Sequence, residues 1–201
     1  LTAPDWTRGG RRQIPAKSAQ WTVANGIMTI APGSGHIATA RSVKDYQLHL
    51  EWQIPDRLGG KGQQRGNSGV FLASTGTGSQ GYELQILACD DNPTYANGQA
   101  ASIYKQHLPL ANACAPAGQW ERYDVVWTAP RFGADGALLS AARVTVLHNG
   151  VLVQNDVALS GQTIYQGAPF YRVHGALPLK LQDHGDAVNF RNIWLRPLLP
   201  R

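Results

Sequence analysis

Two glutamates stand where proton-transfer chemistry could be done. Glu51 lies in residues 46–54, YQLHLEWQI, and Glu83 in residues 82–86, YELQI. Both stretches alternate at the strand period of two. Tyr46, Leu48, Leu50, Trp52 and Ile54 therefore share one face and His49 and Glu51 the other, while Glu83 and Gln85 oppose Tyr82, Leu84 and Ile86. On a curved sheet such carboxylates can act as acid or base if burial and neighbouring charge separate their pKa values. The same pattern fits glutamates on an open, solvated face. His184, in DHGD at residues 183–186, is a further proton carrier at a strand end, with a plain turn histidine as the competing reading. Oxygen donors occur at Asp90, Asp91, Asn92 and Asp186, and their spacing matches no EF-hand, so a divalent cation such as calcium is an open expectation and its ligands are unassigned. The histidines form no H-E-x-x-H pair, the serines no G-x-S-x-G elbow, and the glycine-rich residues 59–69, GGKGQQRGNSG, lack phosphate-loop spacing.

The elements that must position these groups read as strands throughout. Residues 21–30, WTVANGIMTI, form a hairpin signal around Asn25-Gly26, and His148-Asn149-Gly150 joins residues 143–147 to 151–154 in the same way. Further strands are expected at 36–40, 46–54, 70–73, 82–87, 121–127, 179–181 and 189–195. Residues 88–119 lack periodicity and contain Pro93, Pro109 and Pro116, which marks them as a long functional loop and a binding wall. No run of ten or more residues carries a helical stripe. The expected fold is all-β, an antiparallel two-sheet sandwich or jelly roll, as one domain over residues 1–201 with an irregular arm at 1–20.

Composition excludes some partners. The net charge is +5, yet the basic residues are scattered and only Arg11 and Arg12 are adjacent, so a nucleic-acid surface is not expected. No apolar run reaches membrane length, so membrane insertion is not expected either. Cys89 and Cys114 flank a polar loop and form no CxxC, which argues against zinc. They are either a disulfide, stabilising by about 3–4 kcal/mol through loop closure, or two free thiols. The opening LTAPDW fits a mature exported chain, periplasmic or extracellular, as well as it fits a trimmed one. No feature selects an oligomeric state.

A series of blocks stands in order along residues 21–197: LHLEWQIP at 48–55, RGNSGVFL at 65–72, GYELQIL at 81–87 and NPTYANGQAASIY at 92–104. GQWERYDVV at 118–126, VTVLHNGVLVQN at 144–155, LQDHG at 181–185 and FRNIWLRPL at 190–198 complete it. Through them the chain resembles the 3-keto-disaccharide hydrolase family. The resemblance implies a concanavalin A-like lectin/glucanase fold, carbohydrate work on its concave face, and an oligosaccharide or glycoside substrate. It implies Glu51, Asn67, Glu83, Gln85, Asp183, His184 and Arg191 as polar rim or floor. Lys105 follows one block where many relatives carry a small residue, and is either a substrate contact or a loop cation.

The chemistry so implied is removal of the acidic C2 proton of a 3-keto glycoside and protonation of the oxygen leaving C1. Glu83 would be the base and Glu51 or His184 the acid, with Asn67, Gln85, Lys105 and Arg191 orienting hydroxyls and stabilising the enolate. Two-carboxylate glycosidase chemistry is one alternative. The other is a non-catalytic carbohydrate-binding module using Trp6, Trp120 and Tyr95 as platforms, with Trp52 and Trp127 left to the core.

Overall fold

The computed structural model describes residues 6–9, 20–56, 58–74 and 78–199. Strands β1 (Trp6–Gly9), β2 (Thr22–Ala24), β3 (Ile27–Thr29), β4 (His36–Val43), β5 (Tyr46–Gln53), β6 (Ser68–Phe71) and β7 (Glu83–Ile86) come first. They are followed by β8 (Trp120–Thr128), β9 (Arg131–Phe132), β10 (Leu138–Ser140), β11 (Arg143–His148), β12 (Val151–Ala158), β13 (Leu177–Leu181) and β14 (Asn189–Pro197). They build a five-stranded sheet in the order β1-β4-β13-β6-β7 and a seven-stranded sheet in the order β12-β11-β8-β5-β14-β3-β2, with β9 and β10 as a separate hairpin. Every described strand pair is antiparallel. The expected antiparallel two-sheet sandwich is what the chain forms.

Local chemistry sets the turns. Asn25 and Gly26 take φ of 51° and 76°, and Asn149 and Gly150 take 52° and 84°, which are the positive angles that a tight twisted hairpin demands. The β9–β10 hairpin was not expected, although Asp135-Gly136 between its strands is the same kind of signal. Part of the arm expected to be irregular is a strand: β1 pairs with β4 along its length, from Trp6↔Thr39 to Gly9↔His36. Four residues at a sheet edge can be held by backbone hydrogen bonds alone, so no alternation announces them. The side chain of Trp6 lies outside the described residues.

The two sheets close on one apolar layer. Tyr46, Leu48, Leu50, Trp52, Tyr123, Val125 and Trp127 from the seven-stranded sheet meet Val70, Leu72, Leu84, Ile86, Leu179 and Leu181 from the five-stranded one. Two tyrosines bolt the layers together. Tyr46 Oη donates to the Leu72 carbonyl at 2.5 Å, and Tyr123 Oη donates to the Gln85 carbonyl at 2.8 Å while accepting from the Ala101 N–H. The second contact fixes the strand on which Glu83 rides. Tyr123→Phe keeps the ring and removes these two hydrogen bonds while Ala101 N–H still bonds the Gln85 carbonyl, so it should cost about 0.5–1.5 kcal/mol in a denaturant titration.

Candidate functional site

Glu83 belongs to the outer face of the five-stranded sheet. Leu84 and Ile86 point into the core, so Glu83 and Gln85 point away from it. Across the sheet, Phe71 of β6 is the register partner of both Glu83 and Lys180, and Gly69 is the partner of Gln85. Gly69 leaves a hollow that the Glu83 side chain fills: a Cβ built on it would lie 2.5 Å from Glu83 Oε1. The strand is held from both sides. Glu83 N–H donates to Thr163 Oγ1 at 3.0 Å, and Tyr104 N–H donates to the Glu83 carbonyl at 3.0 Å.

The long segment after β7 is the wall its lack of periodicity suggested. Ser102 and Ala101 exchange backbone hydrogen bonds with Gln85, and Ile103 bridges to Leu84, so this segment extends the sheet edge without forming a full strand. A Cys89–Cys114 disulfide ties its ends together. From it rise Tyr95 and Tyr104, whose hydroxyls lie 2.5 Å apart. Lys105, in the left-handed region at φ 64°, sets its ammonium 3.7 Å from the Tyr95 ring centre and 5.2 Å from that of Tyr165.

Sheet face and wall enclose a pocket of about 390 Å³. Its floor is Glu83, Gln85, Asn67 and Gln182, and its sides are Tyr95, Tyr104, Tyr165, Gln63 and Ser79. Gln85 Nε2 donates to Gln63 Oε1 and to Asn67 Oδ1, both at 3.3 Å, and Gln182 Nε2 donates to Ser79 Oγ at 3.0 Å. The other amide atoms, Gln85 Oε1 and Gln182 Oε1, are buried acceptors with no protein donor.

His184 stands exposed at the rim. It borders this pocket and also a shallow groove of about 470 Å³ formed with Gly33, Gly35, Asp183 and Gly185. Asp183 shapes the loop: its two carboxylate oxygens accept from Gly35 N–H at 2.8 Å and from Gly185 N–H at 3.0 Å. Asp186 likewise accepts from Asn67 N–H at 2.8 Å, tying the His184 loop to the pocket floor.

Burial dominates the electrostatics. Glu83, 5% exposed, has its carboxyl pushed up to about 8 by loss of water, with the positive charge of Lys180 pulling the other way. Lys180 is pushed down to about 8 by burial, against the pull of Glu83. Tyr104 is raised by burial and then by its bond to Tyr95 and the nearby Glu83, so it keeps its proton. The pocket thus holds a carboxyl able to gain or lose a proton near neutrality beside a phenol that stays a donor.

Glu51 and Arg191 are not in this pocket. Glu51 extends from the outer face of the seven-stranded sheet, where Arg191 Nε donates to it at 2.5 Å and Asn192 Nδ2 at 2.8 Å. Burial pushes Glu51 up, but these donors outweigh it and the carboxyl is held below its ordinary range. Packed sheets lie about 10 Å apart, and Glu51 and Glu83 point outward from opposite layers, so they cannot work on one bond. Alternation had told core face from outer face but not one sheet from the other. Trp120 is on the Glu51 side, with the Arg191 guanidinium 3.9 Å from its ring. Tyr95 lines the pocket, and Trp52 and Trp127 are core residues as expected.

Sequence reasoning brought Asn67, Glu83, Gln85 and His184 to one place and left Lys105 at its wall. It missed Gly69, Tyr104, Thr163, Tyr165, Gln182 and Lys180. Gly69 and Gln182 sit inside the RGNSGVFL and LQDHG blocks, while Thr163 and Tyr165 come from an irregular stretch with no pattern to mark them. Among the described residues, the group of three metal-ligand side chains packed together is Cys89, Cys114 and Glu121, and both its sulfurs are spent in the disulfide. Of the oxygen-bearing candidates outside it, Asp90 accepts from Ala117 N–H, and the Asn92 amide bonds to Gly62 and Ala88.

Residues 2–196 match the model of the 3-keto-alpha-glucoside-1,2-lyase-like domain. A 3-keto-disaccharide hydrolase of Bacteroides thetaiotaomicron is 22% identical, over 96% of this chain and 74% of that one. The crystal structure of a candidate glycosyl hydrolase from Parabacteroides distasonis is 42% identical with a TM-score of 0.86, covering 96% of this chain and 79% of that one. The fold is also that of the VIP36 exoplasmic/lumenal domain, solved with calcium and Man3GlcNAc, at 11% identity and a TM-score of 0.52 over 100% of this chain and 86% of that one. The sandwich is thus lectin/glucanase-like.

The raised carboxyl of Glu83 has a consequence for stability. A group whose folded pKa is about 8 instead of 4.5 favours the fold below the lower value, and that support is lost as pH climbs to the upper one. Glu83→Gln removes the loss. Its melting temperature should gain on that of the wild type between about pH 5 and pH 8.5, with the difference level above, as read by calorimetry. A constant difference would show that Glu83 titrates normally.

Proposed function

The chain belongs to the family of 3-keto-alpha-glucoside-1,2-lyase-like domains, and from that premise we propose that it cleaves a 3-keto-disaccharide or related glycoside by acid–base chemistry at C2 and C1. The observation that carries this reading is the buried Glu83 carboxyl, held near neutrality at the bottom of an amide- and tyrosine-lined pocket. A ketone at C3 makes the C2 proton acidic, and a base whose pKa lies near the working pH is suited to take it.

Glu83, once ionised, removes the proton from C2. The electron pair left on C2 moves into the ring carbons and the C3 oxygen as an enolate, which a protonated Tyr104 and the amide donors of the floor stabilise. Collapse of the enolate forms the C1–C2 double bond and expels the substituent on C1, whose oxygen takes a proton. Water adding across that double bond restores the 3-keto sugar, so the net result is hydrolysis; release before that step leaves an unsaturated ketone.

His184 borders both hollows, where the bond between two sugar rings would lie if one ring filled each. That placement supports His184 as the donor to the leaving oxygen. Gln85 and Gln182 line the floor with neutral amides, and Asn67 is held in place by Gln63 and Asp186. Asp183 acts by shaping the His184 loop, and Lys105 by steadying the tyrosine wall. Two-carboxylate glycosidase chemistry has less support, because Glu51 works on the opposite face and the Asp183 oxygens are committed to backbone N–H groups. The disulfide supports an oxidising compartment, periplasmic or extracellular.

A 3-keto disaccharide and its unoxidised parent, each with and without chelator, test the reading on wild type and Glu83→Gln. Turnover should be confined to the keto sugar. Glu83→Gln should lose about 10²–10⁴-fold in kcat, and wild-type kcat/KM should rise with pH to a plateau above about 8. Binding of both sugars with turnover of neither would make the protein a carbohydrate-binding module, and equal turnover of both would remove the ketone from the mechanism. Loss of turnover on chelation would bring in the divalent ion.

A further inference from the structure

Lys180, at 1% exposure, is the most deeply buried lysine or arginine among the described residues, and the chemistry above does not use it. Its neighbours in β13, Leu179 and Leu181, enter the core, so Lys180 leaves the sheet on the same outer face as Glu83. Phe71 stands between them in the register, with the Lys180 ammonium 4.4 Å from its ring centre. The ammonium donates to the Gly78 carbonyl and, at 3.2 Å, to the Gln80 carbonyl. Ser79, between those two residues, lines the pocket and takes the hydrogen bond from Gln182. A charge this deep is costly unless something nearby uses it.

We propose that Lys180 is a positioning residue of the Glu83 pocket: from behind Phe71 it supplies the positive potential that lets the buried Glu83 carboxyl ionise, while its carbonyl anchors keep the Ser79 wall in place. This rests on the reading of Glu83 as the base, but its central claim concerns the charge of Glu83 and can be measured without turnover. Lys180 makes no contact with substrate, since it is not part of the pocket lining.

The other groups around Glu83 leave Lys180 as its main positive neighbour. From β6 come Gly69 and Phe71, both uncharged. The wall presents Tyr104, with Tyr95 beyond it, and Lys105 is set over the Tyr95 and Tyr165 rings. Thr163 and Tyr165 face the pocket from the segment before β13, and Gln182 and His184 from the segment after it. Lys180 is the charge that acts on Glu83, and Glu83 the one that acts back on Lys180.

The chain holds three glutamates, Glu51, Glu83 and Glu121, so carbon-13 labelling of glutamate carboxyls gives a spectrum that Glu83→Gln assigns directly. Titration by NMR in wild type, Lys180→Met, Lys180→Gln and Lys180→Arg is the test. Lys180→Gln keeps amide donors for the two carbonyls and guards against a misfolded Met variant. In both uncharged variants the Glu83 midpoint should rise by about one pH unit or more, and the rising limb of kcat/KM should move with it, a loss of about tenfold at pH 7 that recovers at higher pH. Lys180→Arg should leave the midpoint within about half a unit of wild type. An unmoved midpoint in Lys180→Met and Lys180→Gln overturns the proposal and leaves Lys180 a loop brace. Should Glu83→Gln retain full turnover, the base assignment fails, while the titration still decides the role of Lys180.

Discussion

The site depends on one constraint: a carboxyl group has to be kept from water at the bottom of a sheet face. An ionised carboxylate loses several kcal/mol of hydration on burial, so it either finds compensation or holds its proton. Glu83 does some of each. Gly69 makes the space into which it folds, Phe71 and Tyr104 wall it off, and the Lys180 charge opposes the rise that burial imposes. Each of these neighbours is fixed in turn by the sheet register, by the backbone bond from Tyr104 to Glu83, or by carbonyls of the 78–80 segment. The network on the other sheet face shows the contrast. There Glu51 has Arg191 and Asn192 as direct partners and is held as a stable anion. Both glutamates point off the core, Glu51 from an interior strand and Glu83 from the start of an edge strand, and they have opposite electrostatic fates.

That contrast marks how far the sequence could be read. The period of two in YQLHLEWQI and YELQI placed both glutamates off the core, correctly, because a half-buried strand has to segregate its faces. Cross-strand partners decide what a carboxylate becomes, and they are set by topology. Glu51 pairs in register with Arg191 and Arg122, whereas Glu83 pairs with Phe71. No single strand contains that information. The Asn-Gly hairpins were legible because their positive φ angles have few residue solutions. β1 was not, since a four-residue edge strand is specified by the strand it joins.

The segment between Cys89 and Cys114 shows a second limit. Its missing periodicity correctly marked it as a wall, but its contribution comes from single contacts: Ile103 bridging Leu84, Tyr123 binding the Gln85 and Ala101 backbone, and Tyr104 meeting Tyr95. Such a segment is ordered by what it packs on. The disulfide closes it at the base and reduces the entropy lost when those contacts form.

The distribution of charge around the pocket fits the proposed ligand. The proposed keto sugar is neutral and carries many hydroxyls, and the pocket is lined largely by neutral amides and phenols. Cations in the lining would bind anions and hold the Glu83 carboxylate as an inert salt bridge, as Arg191 does for Glu51. Both nearby lysines are instead kept against aromatic rings, Lys180 on Phe71 and Lys105 on Tyr95. At that remove a positive charge still acts on Glu83 through a medium of low polarity, but cannot donate a hydrogen bond that would quench it as a base. Holding the cation one ring away leaves the carboxyl poised between its two protonation states, which a catalyst that must take up and release a proton requires.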